Sequence, residues 1–245
     1  MSSTDFDQVS DNKRNRTRFS GGSAGAAVAL AVPTQEFEPL ELVSSGGPVD
    51  SFAYLTVKRA FDLAFATCVL VLLSPVLLFI ALAVKLTSRG PVLFRQERVG
   101  RRGGMFHMLK FRTMAVRPQS ETDTVWTVPV SDRITPFGRF LRRTSLDELP
   151  QFINVLRGEM SVVGPRPERP FFVEEFQKRI EGYSCRHDGV VGITGWAQVN
   201  GLRGDTCIQT RVAYDVYYLR NWSLLFDARI ICRTVLDVLR HSHNA

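Results

Sequence analysis

Asp147 and Glu148 stand side by side at the head of the run SLDELPQFINVLRG, 145–158. A carboxylate can attack phosphorus and hold the transferred group covalently. Fixed cations or Mg²⁺ neutralise the charge on a phosphoryl group in transfer. Mg²⁺ commonly takes one or two protein carboxylates and completes its shell with substrate phosphate oxygens and water. That donor set suits a chain with a paired acid and several cations nearby in sequence. Arg142 and Arg143 precede the pair, Lys110 and Arg112 lie in FHMLKFRTM, and Arg166 lies in VVGPRPERP. Asp147 falls at the start of a predicted helix, whose dipole favours the ionised form. Ser145 and Glu148 also fit a capping box, S-x-x-E, so capping alone is a competing role for Glu148.

These side chains need elements to hold them. Over 145–158, Leu149, Phe152, Ile153 and Leu156 recur at helical spacing and form an apolar stripe. Asp147, Gln151 and Asn154 share the opposite face, and Gly158 stops the helix. Upstream, GPVLFRQERVGRRGGMFHMLKFRTM reads as two strands around a turn at Arg101–Gly104. Alternation puts Phe106, Met108, Lys110 and Arg112 on one strand face, where the two cations are either solvated or aimed at phosphates. A proline on each side of Arg166 restricts its backbone. FFVEEFQKRI predicts a short amphipathic helix. GVVGITGWAQVNGLRG, 189–204, holds five glycines and reads as a loop that lets a backbone approach a nucleotide. The last helix spans about 223–240, with Leu224, Ala228, Ile231, Val235 and Val238 on the side that packs on the core.

Leu63 to Val84 is a run of 22 residues without a formal charge. About 20 such residues suffice to span hydrocarbon. Pro75, near the middle, removes a hydrogen bond to the Val71 carbonyl and crowds that turn, and Ser74 can satisfy the freed group. Lys58 and Arg59 precede the run, and Lys85 and Arg89 follow it. Basic flanks favour the cytoplasmic side. A helix that breaks at Ser74-Pro75 and returns keeps both flanks there.

The formal charge of +7 is unevenly placed. Residues 1–50 hold seven acidic and four basic side chains, net −3, so the remaining 195 carry +10. Between Lys85 and Ser120 there are nine Lys or Arg against one acid, Glu97. That density calls for phosphate groups or acidic headgroups. Residues 1–50 read as a disordered polar tail without a signal peptide. Four cysteines show no metal-ligand spacing and read as reduced thiols, and four histidines do not cluster. A nucleic-acid binder is disfavoured by the apolar run and the lack of a recognition motif. A non-enzymatic membrane-surface adaptor explains the apolar and basic stretches but not the acidic pair.

The residues alone reach phosphoryl chemistry at a membrane. From about Tyr54 to Leu239 the chain also resembles the bacterial sugar transferases, the monotopic polyprenyl-phosphate phosphoglycosyl transferases. The matching stretches are KRAFD (58–62), the Ser74-Pro75 break, the 90–114 hairpin, DELPQFINVLRGEMSVVGPRP, GITGWAQVNG and YDVYYLRNWSLLFDARIICRTV. The resemblance implies an α-rich α+β fold: a re-entrant anchor over 51–90, and a cytoplasmic catalytic part over 91–245 of the same domain. It implies transfer of hexose 1-phosphate, galactose or glucose, from a UDP-hexose to undecaprenyl phosphate. UMP is released, at the inner face of a bacterial membrane. Asp147 would be the nucleophile and Glu148 its partner with Mg²⁺. Arg166 would bind phosphate, and Lys110, Arg112, Arg142 and Arg143 complete the candidate set. Initiation of exopolysaccharide or another surface glycan is the expected pathway. Larger family members add further N-terminal parts, on which the catalytic part should not depend. A homo-oligomer is compatible with all of this.

Overall fold

The computed structural model describes residues 48–52, 54–114, 134–204 and 206–243. The tail expected over 1–50 falls almost wholly outside the described residues.

A π-helical turn, Tyr54–Lys58, runs into α1, Arg59–Leu72, and α2 follows at Ser74–Thr87. The pair is bent by 64° at Leu73. Pro75 has no N–H to offer the Val71 carbonyl, and the Ser74 hydroxyl donates to it instead at 2.8 Å. This is the device read from the sequence. Among the described residues no single helix is long and apolar enough to cross a membrane, although the bent pair is when taken together. Around the bend Val71, Leu72, Leu78, Phe79, Leu82 and Leu86 are each more than half exposed.

The basic flank ahead of α1 is not what the charge count suggests. Lys58 is buried, its Nζ 2.9 Å from Asp227 and 3.4 Å from Asp62. Asp62 also accepts from the Val162 N–H and the Ser161 hydroxyl. Arg59 donates to the carbonyls of Val155 and Leu156. Both cations therefore tie the base of the bent pair to the rest of the fold and are not free charges at a boundary. Lys85 and Arg89, on the far side, are exposed.

The expected hairpin forms from β1, Leu93–Val99, and β2, Met105–Phe111, antiparallel with Leu93 opposite Phe111. A tight 3₁₀ turn at Arg101–Gly103 joins them. Phe106 and Met108 are buried, and Lys110 is partly so. The strand ends at Phe111, and with it the alternation. Arg112, one residue further, turns away to the end of α2. Its guanidinium donates to the carbonyls of Val84, Ser88 and Pro91 and to the Ser88 hydroxyl. Last-turn carbonyls of a helix lack intrahelical donors, and a cation there is well placed.

A second, parallel pair joins β3, Ser161–Val163, to β4, Gly192–Thr194. Parallel strands need a crossover. It runs through α5, Pro170–Arg179, which is the predicted amphipathic helix, and a 3₁₀ turn at Tyr183–His187. The glycine-rich stretch is thus not simply a loop, because it contains β4 and α6, Trp196–Val199. Two of its glycines serve a backbone contact within the chain. A Cβ on Gly192 would strike the Gly164 nitrogen, and one on Gly195 would strike the Gly164 carbonyl. Gly192→Ala is expected to cost about 3 kcal/mol by forcing these backbones apart. A chemical-denaturation midpoint unchanged from wild type would refute the contact.

The chain closes with α7, Ile208–Arg220, and α8, Leu224–His243. α8 turns Asp227 and Ile230 inward, so the inward line is rotated from the one periodicity suggests. Ala228 and Val235, expected inside, are exposed. The core gathers Val155, Met160, Val163, Val191, Tyr218 and Ile230 around Ala66 of α1. The four cysteines form no disulfide, and Cys68, Cys207 and Cys232 are exposed.

Candidate active site

The acidic pair is delivered by a sharp change of direction. α3, Pro136–Arg143, is capped by Thr135, whose hydroxyl accepts the Gly138 N–H at 2.9 Å. After Thr144 the backbone of Ser145 takes a left-handed conformation, φ 57°. For a residue with a Cβ this costs about 1–2 kcal/mol. It throws the chain into one 3₁₀ turn, Leu146–Glu148, and α4 begins only after Pro150, at Gln151–Arg157. The single helix expected over 145–158 is therefore two pieces. No capping box forms, since Ser145 makes no side-chain cap and Glu148 points elsewhere.

Glu148 Oε1 receives Lys110 Nζ at 2.7 Å and Arg166 Nη2 at 3.0 Å. Burial alone would push its carboxyl up, but Arg166 and Lys110 more than reverse this and hold it well below the usual carboxylate range. Lys110 is pulled below the ordinary lysine value by burial, against the attraction of Glu148. Asp147 is 7% exposed. Burial pushes its carboxyl up to about 6, with Lys110 and Arg142 pulling it down and Glu148 pushing it up. The helix-dipole expectation thus loses to desolvation. Two adjacent carboxylates are driven in opposite directions, one fixed as an anion and one poised near neutrality.

The structure accordingly brings together Asp147, Glu148, Lys110 and Arg166, with Arg142 within electrostatic reach of Asp147. Arg142 itself bonds the Thr113 hydroxyl at 3.0 Å. Arg143 is exposed. Arg112 is not part of the group, being committed to the end of α2.

α4 supports the pair with its polar face inward. Gln151 and Asn154 are buried while Leu156 is exposed, and Phe152 packs beside Phe65 of α1. The Asn154 amide accepts the Leu109 N–H at 3.0 Å and donates to the His107 carbonyl at 2.8 Å. It therefore fastens α4 to β2 next to Lys110.

Sequence reasoning missed a further set of charges around the Pro-Arg-Pro segment. Arg98 of β1 donates to the Pro167 carbonyl at 2.9 Å and to Gln96 at 2.7 Å. Burial lowers it to about 10, opposed by Glu168. Glu168 accepts from Arg211 of α7 at 2.9 Å. Arg186 pairs with Asp215 of α7 at 2.7 Å. Gln96 apart, these partners lie 29 to 69 residues away, and nothing local signals them.

Among the described residues no group of three His, Cys, Asp or Glu is placed to hold a metal ion. A divalent cation here would rest on Asp147 and Glu148 with substrate oxygens. The residues fit that limited role, because Asp147 lacks enough positive charge to restore its ordinary acidity.

A helix-rich fold with a bent anchor-like helix pair and a paired acid beside fixed cations defines a candidate phosphoryl-handling protein. The chain belongs to the bacterial sugar transferase family, whose model matches residues 53–241. It is 52% identical over 185 residues to the UDP-glucose:undecaprenyl-phosphate glucose-1-phosphate transferase of Escherichia coli, covering 73% of this chain and 39% of that protein. A protein of the same name from Caulobacter vibrioides is 44% identical over 198 residues, covering 79% of this chain and 74% of that one. The exopolysaccharide production protein PSS of Rhizobium leguminosarum is 43% identical over 192 residues, covering 76% and 96%. This chain thus spans about two fifths of the length of the E. coli relative.

Proposed function

We propose that this chain transfers hexose 1-phosphate from a UDP-hexose to undecaprenyl phosphate at the cytoplasmic face of a bacterial inner membrane. The observation that carries this is the buried Asp147 beside a Glu148 pinned between Lys110 and Arg166. The names of the relatives supply the substrate class, and UDP-glucose is the first donor to test.

Asp147 attacks the β-phosphorus of the UDP-sugar. The bond from that phosphorus to the bridging oxygen breaks, and UMP leaves with the electron pair. The aspartyl phospho-sugar persists until an oxygen of undecaprenyl phosphate attacks the same phosphorus and frees the carboxylate. Burial makes Asp147 a poorly solvated and hence stronger nucleophile, still mostly ionised at neutral pH. Lys110 and Arg166 supply fixed positive charge where the phosphoryl oxygens gain negative charge. Glu148 keeps those two cations in place. Mg²⁺, held by Asp147 and Glu148, would add charge neutralisation on the diphosphate.

The bent pair dips into the inner leaflet and returns, with its exposed apolar residues in lipid. One substrate is soluble and the other keeps its phosphate at headgroup depth. An anchor that returns to its own side places the catalytic part where both arrive. An adaptor would need the anchor but not the buried acid.

The test uses detergent-solubilised protein with Mg²⁺, UDP-glucose or UDP-galactose, and undecaprenyl phosphate. UMP should appear in the complete mixture with at least one of these donors. No UMP with either donor would end the proposal. For topology, single cysteines placed before Lys58 and after Arg89 should both label from the cytoplasmic side, and labelling from opposite sides would establish a full span.

A further inference from the structure

The segment that carries Arg166 is held one carbonyl at a time. Pro165, Pro167 and Pro170 have no N–H, so the stretch cannot join a ladder as donor at those positions. Its acceptors are nevertheless all taken. The Pro165 carbonyl receives the Gly192 N–H at 2.8 Å, and that of Glu168 receives the Val99 N–H at 2.9 Å. The Arg169 carbonyl receives the N–H groups of Phe172 and Val173 at the start of α5. The two carbonyls between, those of Arg166 and Pro167, are met by side chains. Arg98 reaches Pro167, and Arg186 Nη2 reaches Arg166 at 2.9 Å.

Arg186 is 1% exposed and cannot touch a substrate. Its guanidinium is itself fixed on three sides. Nε and Nη2 meet Asp215 Oδ2 at 3.0 and 2.7 Å, and Nη1 meets the Tyr183 hydroxyl at 3.0 Å. Asp215 is 2% exposed and sits on α7 four residues after Arg211, which holds Glu168. One face of α7 therefore braces the segment at two points. A planar guanidinium anchored by a carboxylate sets the position of a backbone carbonyl more rigidly than a single-point donor does.

From this geometry we infer that Arg186, locked by Asp215, is a positioning residue that sets where the Arg166 side chain meets the diphosphate. The inference rests on the phosphoryl-transfer reading above and assigns α7 a task in the reaction without contact to the reacting atoms. Displacement of a substrate-orienting group by about 1 Å costs on the order of 100-fold in rate. A double-mutant cycle separates this from a general role in folding.

The first arm is the pair Arg186→Met with Asp215→Leu, which removes both charges together, a change buried ion pairs commonly tolerate. A milder arm is Arg186→Lys, which keeps the charge but loses the planar fork. Each is combined with Arg166→Ala, and kcat and KM for the UDP-sugar are measured beside the melting temperature. The paired change is expected to lower kcat by about 100-fold in the wild-type background. In the Arg166→Ala background it should lower it by roughly twofold or less. Arg186→Lys should follow the same pattern with a smaller loss. Equal losses in both backgrounds, in either arm, overturn the inference while leaving the phosphoryl-transfer reading intact. A wild-type protein that releases no UMP overturns both.

Discussion

Asp147→Asn is expected to abolish UMP release and to raise the melting temperature of the protein. The first effect follows from the role proposed for the carboxylate, since an amide cannot attack phosphorus and leave again. The second follows from its burial. A carboxyl moved from the ordinary aspartate value to about 6 costs the folded chain on the order of 3 kcal/mol at neutral pH. The sign is opposite to that of a salt-bridged acid. Below the unfolded value of 3.8 the cost is absent, it grows as pH rises toward about 6, and it is fully present above that. Asparagine is neutral throughout, so the variant should melt on the order of 10 °C higher at pH 7.5, with the difference shrinking as pH falls. Wild-type turnover should drop tenfold per pH unit below about 6 as the nucleophile takes up its proton. A variant that keeps measurable single-turnover labelling by UDP-sugar, or that melts lower than wild type at pH 7.5, would refute this account of Asp147.

Asp227→Ala should be the most damaging single change away from the reacting residues. Its carboxylate is fully buried. It accepts from Lys58 Nζ at 2.9 Å, from the Tyr218 hydroxyl at 2.7 Å and from Trp222 Nε1 at 3.2 Å. Removing it leaves the buried Lys58 ammonium with only Asp62 at 3.4 Å and the Trp222 N–H without its acceptor, while the Tyr218 hydroxyl keeps the Val163 carbonyl at 3.1 Å, with an expected loss of about 3 kcal/mol. The loss is local in consequence, because Lys58 stands at the foot of α1. Proteolysis should open the chain near the π-helical turn before the hairpin. Replacing Lys58 by Met and Asp227 by Leu together should recover only part of the stability, since Asp62 keeps its bonds to Ser161 and Val162 but loses its buried counter-cation. If Asp227→Ala melts within a degree of wild type, the junction is not the brace described here.

Local signals were readable in the sequence, and distant pairings were not. The Ser74-Pro75 bend depends on five consecutive residues, Val71 to Pro75, and both the break and the Ser74–Val71 bond follow from them. The hairpin follows from alternation and a glycine-rich turn. Alternation misled at Arg112 because a strand face lasts only as long as the strand, and β2 ends one residue earlier. Periodicity found the apolar stripe of α4 but did not show that the opposite, polar side is buried too. Asn154 binds the backbone of β2 and so belongs inside, while Phe152 packs on α1 and Leu156 lies outside. The adjacency of Asp147 and Glu148 marked the candidate site. That Glu148 would be clasped by residues 38 and 18 positions away was beyond any local pattern. The glycines of GITG were read as room for a ligand and serve as room for Gly164.

The Asn154 amide has a further consequence for anyone who transplants the proposed catalytic centre. It clamps β2 at His107 and Leu109, immediately beside Lys110, from the same helix that follows Asp147. Sliding the strand by one residue would swap the ammonium for a leucine or a phenylalanine. One carboxamide therefore serves as the alignment mark between two halves of the chemistry that come from separate stretches of chain. A graft that carried Lys110, Asp147, Glu148 and Arg166 but omitted Asn154 would own all four charged groups of the proposed centre and still present them out of step.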